Sequence, residues 1–386
     1  FQRCYLDDEK TDTYFSGLIN NDQDYSRYLY FYLSYLVEND RYEEAKKITD
    51  QLDILNSTIL IAQGKKWIDE NRLKEFNKIF SCKNHSDIVS EFLFIIANLY
   101  SSEENFEESN FYLNISSFLN PKFRFNLTLL SENYFFKKNY KSTEKVLKKF
   151  EKNDQFYFWY AVKKQAQIIS EQSGKLEALN YIKNKFDKIE KKNIKIIFDI
   201  ANFYKNSKKY EEAINYYNEI ILTLDDKSEL YADVLYRRGG SYERLGDYSK
   251  ADKDLLKSIE IKPDDAYFLN YLAYSWLERN YKINEAMEML EKAYDLQNED
   301  PYIIDSIGWA YYLIDDFFKA EKHMKKAVQL MPDDPVVNDH YGDILWKLDR
   351  KIQARYFWKN VLNLEETEDE MKKSIKDKLI EGLINS

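Results

Sequence analysis

Small residues recur at fixed distances between helix-periodic apolar stretches, and this pattern organises the whole chain. In the clearest instance, Asp305-Ser-Ile-Gly-Trp-Ala-Tyr-Tyr-Leu is followed by Ala320, Met324, Ala327 and Pro332. Gly308 therefore precedes Ala320 by twelve residues, and Ala327 lies seven beyond it. Small side chains belong where two helices cross closely, and large ones fill the spaces between. Pro332 ends the second helix because proline lacks the amide donor that would continue it. The same frame returns at Ala273/Ala286/Ala293, with one extra residue in the turn from Asn280 to Asn284. It returns again at Gly239/Tyr242/Ala251/Pro263, with Gly246-Asp247 as the turn, and at Gly342/Ala354/Trp358. Toward the N-terminus it fades but keeps register, at Ala201/Tyr204/Ala213, Ala166/Ile169/Ala178, Ser131/Tyr134/Thr143/Leu147 and Ala97/Tyr100/Ser109/Pro121. Weaker units surround Gly64/Trp67/Phe76 and Leu33/Leu36/Ala45. The pattern predicts about ten helix pairs, beginning near residues 26, 57, 90, 124, 159, 194, 232, 266, 301 and 335.

These spacings resemble those of a tetratricopeptide repeat, whose period is about 34 residues. The resemblance implies an all-α, right-handed superhelical solenoid of about ten tetratricopeptide-like helix-turn-helix repeats with a C-terminal capping helix. Residues 1–25 are expected to form an atypical leading helix, 26–231 degenerate repeats, 232–365 well-defined repeats and 366–386 the capping helix, in one continuous solenoid. The second helices start alike, at Asn39-Asp-Arg-Tyr-Glu-Glu-Ala, Lys208-Lys-Tyr-Glu-Glu-Ala and Gly246-Asp-Tyr-Ser-Lys-Ala. Their acid pairs, Glu43-Glu44 and Glu211-Glu212, fall in the first helical turn, where the helix dipole favours negative charge.

Composition supports a helical array. Only 9 Gly and 5 Pro leave little turn chemistry for a multi-stranded fold, whereas 33 Tyr and 24 Phe supply ample surface to bury. Cys4 and Cys82 are too few for a disulfide framework or a metal cage, although they could pair in an oxidising compartment. No stretch approaches the ~18 apolar residues of a membrane span. The chain opens at Phe1 rather than Met, as expected of a processed or trimmed N-terminus, and Phe-Gln-Arg before Cys4 is unlike the small-residue run of a lipidated cysteine. The sequons at Asn56, Asn84, Asn114 and Asn126 are what an Asn-rich chain produces by chance.

The chemistry search points away from an enzyme. His85, His323 and His340 lie in separate repeats without metal-ligand spacing. His340 beside Asp339 and Asp343 is read as part of a solvated face. There is no phosphate-binding glycine loop, nucleophile elbow or paired-cysteine site, so no cofactor and no metal is expected. Charge is unevenly spread: between Lys137 and Lys209 there are 19 Lys against 8 acids, in a chain of net charge −10. That stretch is either a lysine-rich solvated face or a binder of an acidic partner or membrane surface. It contains no Arg, which argues against nucleic acid.

With Gly308 as the buried crossing residue, the exposed positions on the first helix of its repeat are Asp305, Trp309 and Tyr312. One repeat on they are Asp339, Asp343 and Trp346; two repeats earlier they are Tyr236, Gly240 and Glu243, flanked by Arg237 and Arg244. Aromatic and Arg side chains on a concave wall are the types that dominate interface energetics. Trp309 and Trp346 have a second reading, as packing between neighbouring helices. These residues predict a non-enzymatic scaffold binding a protein or peptide; the alternatives are a structural subunit of a larger complex, or an electrostatic binder acting through the lysine-rich segment 137–209.

The C-terminal third also resembles a narrower group of bacterial tetratricopeptide proteins. The residues concerned are Asp305-Ser-Ile-Gly-Trp-Ala-Tyr-Tyr, Ala320-Glu, Leu330-Met-Pro-Asp-Asp-Pro, His340-Tyr-Gly-Asp-Ile-Leu-Trp, Ala354-Arg, Trp358 and the closing Lys-Leu-Ile-Glu-Gly-Leu, within about residues 265–384. Members of that group resemble outer-membrane lipoproteins on the periplasmic side, and one kind brings a carboxyl-terminal processing protease to cell-wall hydrolases. The resemblance implies an adaptor role in a cell-envelope assembly, with such a protease or its substrates as partners. The chaperone-type carboxylate clamp is not matched, because its positions hold Ser306, His340 and Tyr271.

Overall fold

The computed structural model describes residues 1–19, 26–150, 154–365 and 367–383. Among them are 23 helices, α1 to α23, and no strand. Ten A helices begin the pairs: α3 (Ser26–Glu38), α5 (Ile59–Asp69), α7 (His85–Ser102), α9 (Asn126–Phe136), α11 (Gln155–Ser173), α13 (Ile194–Asn206), α15 (Glu229–Arg244), α17 (Ala266–Glu278), α19 (Pro301–Leu313) and α21 (Pro335–Lys347). Each is followed by a B helix, among them α4 (Tyr42–Asp50), α6 (Lys74–Ile79), α10 (Tyr140–Leu147), α14 (Tyr210–Ile221), α16 (Tyr248–Ile261), α20 (Phe317–Leu330) and α22 (Lys351–Val361). No A helix starts more than five residues from its expected place. The leading segment is two short helices rather than one, α1 (Gln2–Tyr5) and α2 (Thr11–Ile19). The capping helix is α23 (Asp369–Glu381). Residues 20–25, 366 and 384–386 of these expected end segments lie outside the described residues.

Local chemistry explains where the helices start and stop. Asn84, Asp154, Asn193, Ser228, Asp265, Asp300 and Asp334 each cap an A helix by accepting from a backbone N–H of its first turn. Pro301 and Pro335 follow their caps, where a missing amide costs nothing. At the other end, each A–B turn passes through a residue of positive φ: Asp40, Asn71, Glu104, Lys138, Gly174, Lys208, Gly246, Asn280, Asp315 and Asp349, with a second, Lys282, in the longer turn before Ile283–Leu296. In most of these turns the next amide bonds back to the carbonyl five residues earlier, as Arg72 N to Trp67 O (2.7 Å) and Arg350 N to Leu345 O (2.9 Å). That closure satisfies a carbonyl the helix would otherwise leave open. Asn and Asp tolerate the left-handed region better than most residues, so the turn survives with Gly at only two of its ten positions.

Close A–B crossings use the small residues as expected. A Cβ on Gly308 would meet Met324 of α20 at 3.2 Å, and one on Gly342 would meet the Trp358 ring of α22 at 2.4 Å. Ala320, Ala327 and Ala354 are fully buried on the facing helices.

The contacts divide the chain into two compact units, Phe1–Tyr216 and Tyr217–Ser386, with the boundary inside α14. The core of the first unit is strongly aromatic. Tyr30, Phe31, Phe76, Phe80 and Phe123 are buried, with Phe31 and Phe80 centroids 4.4 Å apart. Burying each such ring contributes about 2 kcal/mol. Arg27 reaches into this core, donating to Glu91 (2.7 Å) and to Asn126 (2.8 Å), with its guanidinium 3.5 Å from the Phe94 ring centroid. Cys4 and Cys82 pair as a disulfide, Cα atoms 5.9 Å apart, tying α1 to the start of the third repeat. In the second unit the C-terminal core gathers Ile304, Met324, Tyr341, Ile344, Trp358 and Ile375, the last contributed by α23.

Candidate functional site

In the second unit the A helices stand side by side, α17 against α19 and α19 against α21, and form one wall. The ten positions predicted from sequence belong to three of these A helices, α15, α19 and α21, and polar bonds run between successive A helices. Tyr271 Oη donates to Glu243 (3.1 Å), and Trp309 Nε1 donates to Glu278 (3.1 Å). His340 Nδ1 lies 3.0 Å from Asp305 Oδ1. Trp309 is sandwiched between Tyr312 (centroids 4.6 Å) and His340 (4.0 Å), with nearly parallel rings. Tyr236 stacks on Phe268 (4.4 Å), and the Arg237 guanidinium lies 5.8 Å from the Tyr236 ring centroid.

The ten differ in what they leave to a partner. Asp305 and Asp343 are buried rather than exposed. Asp339, Asp343 and Trp346 are engaged by the chain's own α23: Lys378 donates to Asp339 (2.6 Å) and to both oxygens of Asp343 (2.8 Å). A Cβ on Gly382 would stand 2.0 Å from the Trp346 ring, so the chain leaving α23 lies directly on that indole. Arg244 is the most open, with 61% of its side chain exposed, next to Glu243 at 21%. Tyr236, Arg237, Trp309 and Tyr312 are half-buried. The accessible part of the wall is therefore the α15–α19 end, where aromatic rings alternate with Arg and Glu.

Burial and charge set the protonation of this wall. Burial pushes the Tyr271 and Tyr274 hydroxyls upward, and Glu243 and Glu278 beside them push further; both hydroxyls stay protonated donors. Burial favours the neutral form of His340, but Asp305, with Asp339 and Asp343, outweighs it and raises the ring's pKa. Burial, reinforced by Asp339, raises Asp343 to about 6. His340 is thus an interior histidine, not part of the solvated face the sequence suggested. Of the others, His323 packs against Tyr294 and Tyr311, and His85 Nε2 lies 2.6 Å from Tyr5 Oη. Among the described residues no group of three His, Cys, Asp or Glu is placed to hold a metal ion. No helix among them is long and apolar enough to cross a membrane.

The frame also yields positions not singled out from sequence. Tyr271, Ser275 and Glu278 stand one repeat before Asp305, Trp309 and Tyr312, and carrying the spacing through that repeat would have found them. Lys378 left no such signal, because α23 lies outside the repeat. In the first unit, several lysines of the 137–209 stretch are engaged within the fold. Lys164 pairs with Glu132 (2.7 Å) and Lys163 with Asp199 (2.9 Å). Lys195 donates to the Leu55 carbonyl (2.6 Å).

Residues 194–222 and 232–265 match the tetratricopeptide repeat family. A TPR repeat-containing protein of Pseudomonas aeruginosa is 36% identical over 93 residues, covering 24% of this chain and 16% of that protein. The match thus spans about a sixth of that relative's length. Among solved structures, a tetratricopeptide repeat protein from Parabacteroides merdae aligns over 66% of this chain and 97% of its own, at 19% identity and a TM-score of 0.52. The pilF structure of Pseudomonas aeruginosa aligns over 49% and 85%, at 18% identity and a TM-score of 0.40.

Proposed function

Since this chain is a tetratricopeptide-repeat protein, a class that generally serves as protein-interaction scaffolds, we propose that it is a non-enzymatic adaptor gripping a partner protein or peptide on the α15–α19 wall. The observation behind this reading is the pair of half-buried rings Tyr312 and Trp309, stacked on the buried His340, with Arg244 exposed on α15. A rigid aromatic platform, with an exposed Arg two repeats earlier, offers large contact area at low entropic cost, each such anchor contributing about 2 kcal/mol or more. The setting we infer is a bacterial cell-envelope assembly, with a processing protease or its substrates as the partner class.

The test is affinity capture from the native host with the wild-type chain and with a Trp309→Ala/Arg244→Glu variant, after both give the same circular dichroism spectrum. A partner lost only with the variant supports the wall as the binding surface. Recovery of the same partners by both chains refutes it. Trp346 is unsuitable for this test, since α23 covers it.

A further inference from the structure

A second recognition feature lies in the first unit. α11 packs on α5, bringing the fifth helix pair against the second. At this seam a cleft of about 570 Å³ opens between α5, α6, the segment 121–124 and the first turn of α11. Cavities of this size suit a few residues of a ligand.

Five cations line the cleft, Lys66, Arg72, Lys78, Lys122 and Arg124, against two acids, Glu75 and Asp154. Glu75 is shared, 3.0 Å from Lys78 and 3.9 Å from Arg72, and Glu70 at the edge lies 3.2 Å from Arg72 and 3.9 Å from Lys66, so five cations face three acids. Asp154 is turned to the floor, accepting from Gln63 Nε2 (2.6 Å) and from the Tyr157 amide (3.4 Å) that it caps. The local balance is thus positive in a chain of net charge −10, and the N-terminus of the 19-residue α11 adds its partial positive charge. Gln63 is 4% exposed, and its Oε1 has no hydrogen-bond partner. Its amide cannot simply be flipped, because Asp154 needs the N–H. A buried acceptor left open costs about 1–3 kcal/mol, so an occupant that brings an N–H donor is favoured. Trp67, Phe156 and Tyr157 supply apolar walls.

We propose that this cleft docks an acidic peptide segment of a partner protein. Carboxylates meet the five cations, and a backbone N–H meets Gln63. A phosphodiester backbone would satisfy the cations but brings no donor for Gln63. None of the five cations belongs to the lysine-rich stretch 137–209, and none of the lining residues belongs to the α15–α19 wall.

Fluorescein-labelled Asp-Glu-Asp-Glu-Asp-Glu, titrated with the full chain and read by anisotropy, tests the assignment. Lys66→Glu/Lys122→Glu is expected to weaken binding about tenfold or more, equivalent to about 1.4 kcal/mol. Lys183→Glu/Lys188→Glu, which changes net charge equally outside the cleft, is expected to leave affinity within about twofold. Trp309→Ala/Arg244→Glu is expected to leave it unchanged too, which separates this cleft from the wall. Added salt should weaken the wild-type complex steeply. Three outcomes would overturn the proposal: no binding by the wild-type chain, equal losses in both lysine variants, or full competition by oligothymidylate at equal charge.

Discussion

Replacing Gly342 with Ala is the sharpest test of how the C-terminal repeats are packed. By intrinsic propensity alone the change should stabilise α21 by about 1 kcal/mol. The added Cβ, however, would lie 2.4 Å from both Cδ1 and Nε1 of Trp358, roughly 1 Å inside ordinary contact. Trp358 is fully buried and has little room to retreat. Its Nε1 donates to Asp343 (2.9 Å), and its ring packs on Trp346 (5.2 Å), which in turn meets the chain leaving α23. Overpacking of this kind costs about 1–3 kcal/mol, and loosening a buried hydrogen bond to a carboxylate adds about 1.5–3 kcal/mol. After the propensity gain, a net loss of about 3 kcal/mol is expected. In a repeat array the loss should stay near its origin. Hydrogen–deuterium exchange should therefore quicken in α21–α23 while α15 and α16 keep their protection. Gly308→Ala is the milder comparison: its Cβ would meet the flexible Met324 methyl at 3.2 Å and the Met324 backbone nitrogen at 3.3 Å, a few tenths of an ångström too close rather than about 1 Å, so its net cost should stay within about 1 kcal/mol. Trp358→Leu should partly relieve the clash, so that the double variant costs less than the sum of the single ones by about 1 kcal/mol. A neutral or stabilised Gly342→Ala chain, or strict additivity with Trp358→Leu, would refute the reasoning.

Other consequences can be checked with the same chain. Asp343 is raised from 3.8 to about 6 and His340 is raised above 6.5. Each holds its proton more tightly when folded, so its contribution is complete below the unfolded value and fades as pH climbs through the folded one. The α21–α23 region should thus weaken as pH rises from about 4 through 6, by on the order of 3 kcal/mol for Asp343, and further above 6.5 as His340 loses its proton; urea midpoints would show this, and Asp343→Asn should flatten the profile. Lys138 and Glu104 hold positive φ in A–B turns, so Lys138→Gly and Glu104→Gly should each raise stability by about 0.5–1 kcal/mol, whereas lower melting temperatures would contradict the assigned backbone. Reducing the Cys4–Cys82 bond, which spans 78 residues, should destabilise the first unit by about 2–4 kcal/mol; Cys82→Ser, compared with wild type under oxidising and reducing conditions, would show loss of protection in α1–α6 if this holds.

The repeat frame was legible in the residues because it rests on local rules. Asp265, Asp300 and Asp334 start helices wherever they stand, and Gly308, Gly342 and Ala320 mark crossings by size alone. The turn into the B helix survives where its sequence has drifted, since one left-handed residue suffices, supplied by Asn or Asp in half the turns and by Gly, Lys or Glu in the rest. Which helix carries each candidate position was legible too, because the repeat spacing assigns every residue to an A or a B helix. What those side chains bond to was not, because that depends on neighbours distant in sequence. Asp305 is buried because His340 arrives from the next repeat, and Trp346 is covered because Gly382 follows a helix outside the frame. The meeting of α5 with α11, and with it a cleft lined by Lys66 and Lys122, is decided by how successive pairs rotate as they stack. No periodicity within a single repeat encodes that rotation, so the helices and their faces belong to the sequence, while the buried partnerships and the cleft belong to the tertiary structure.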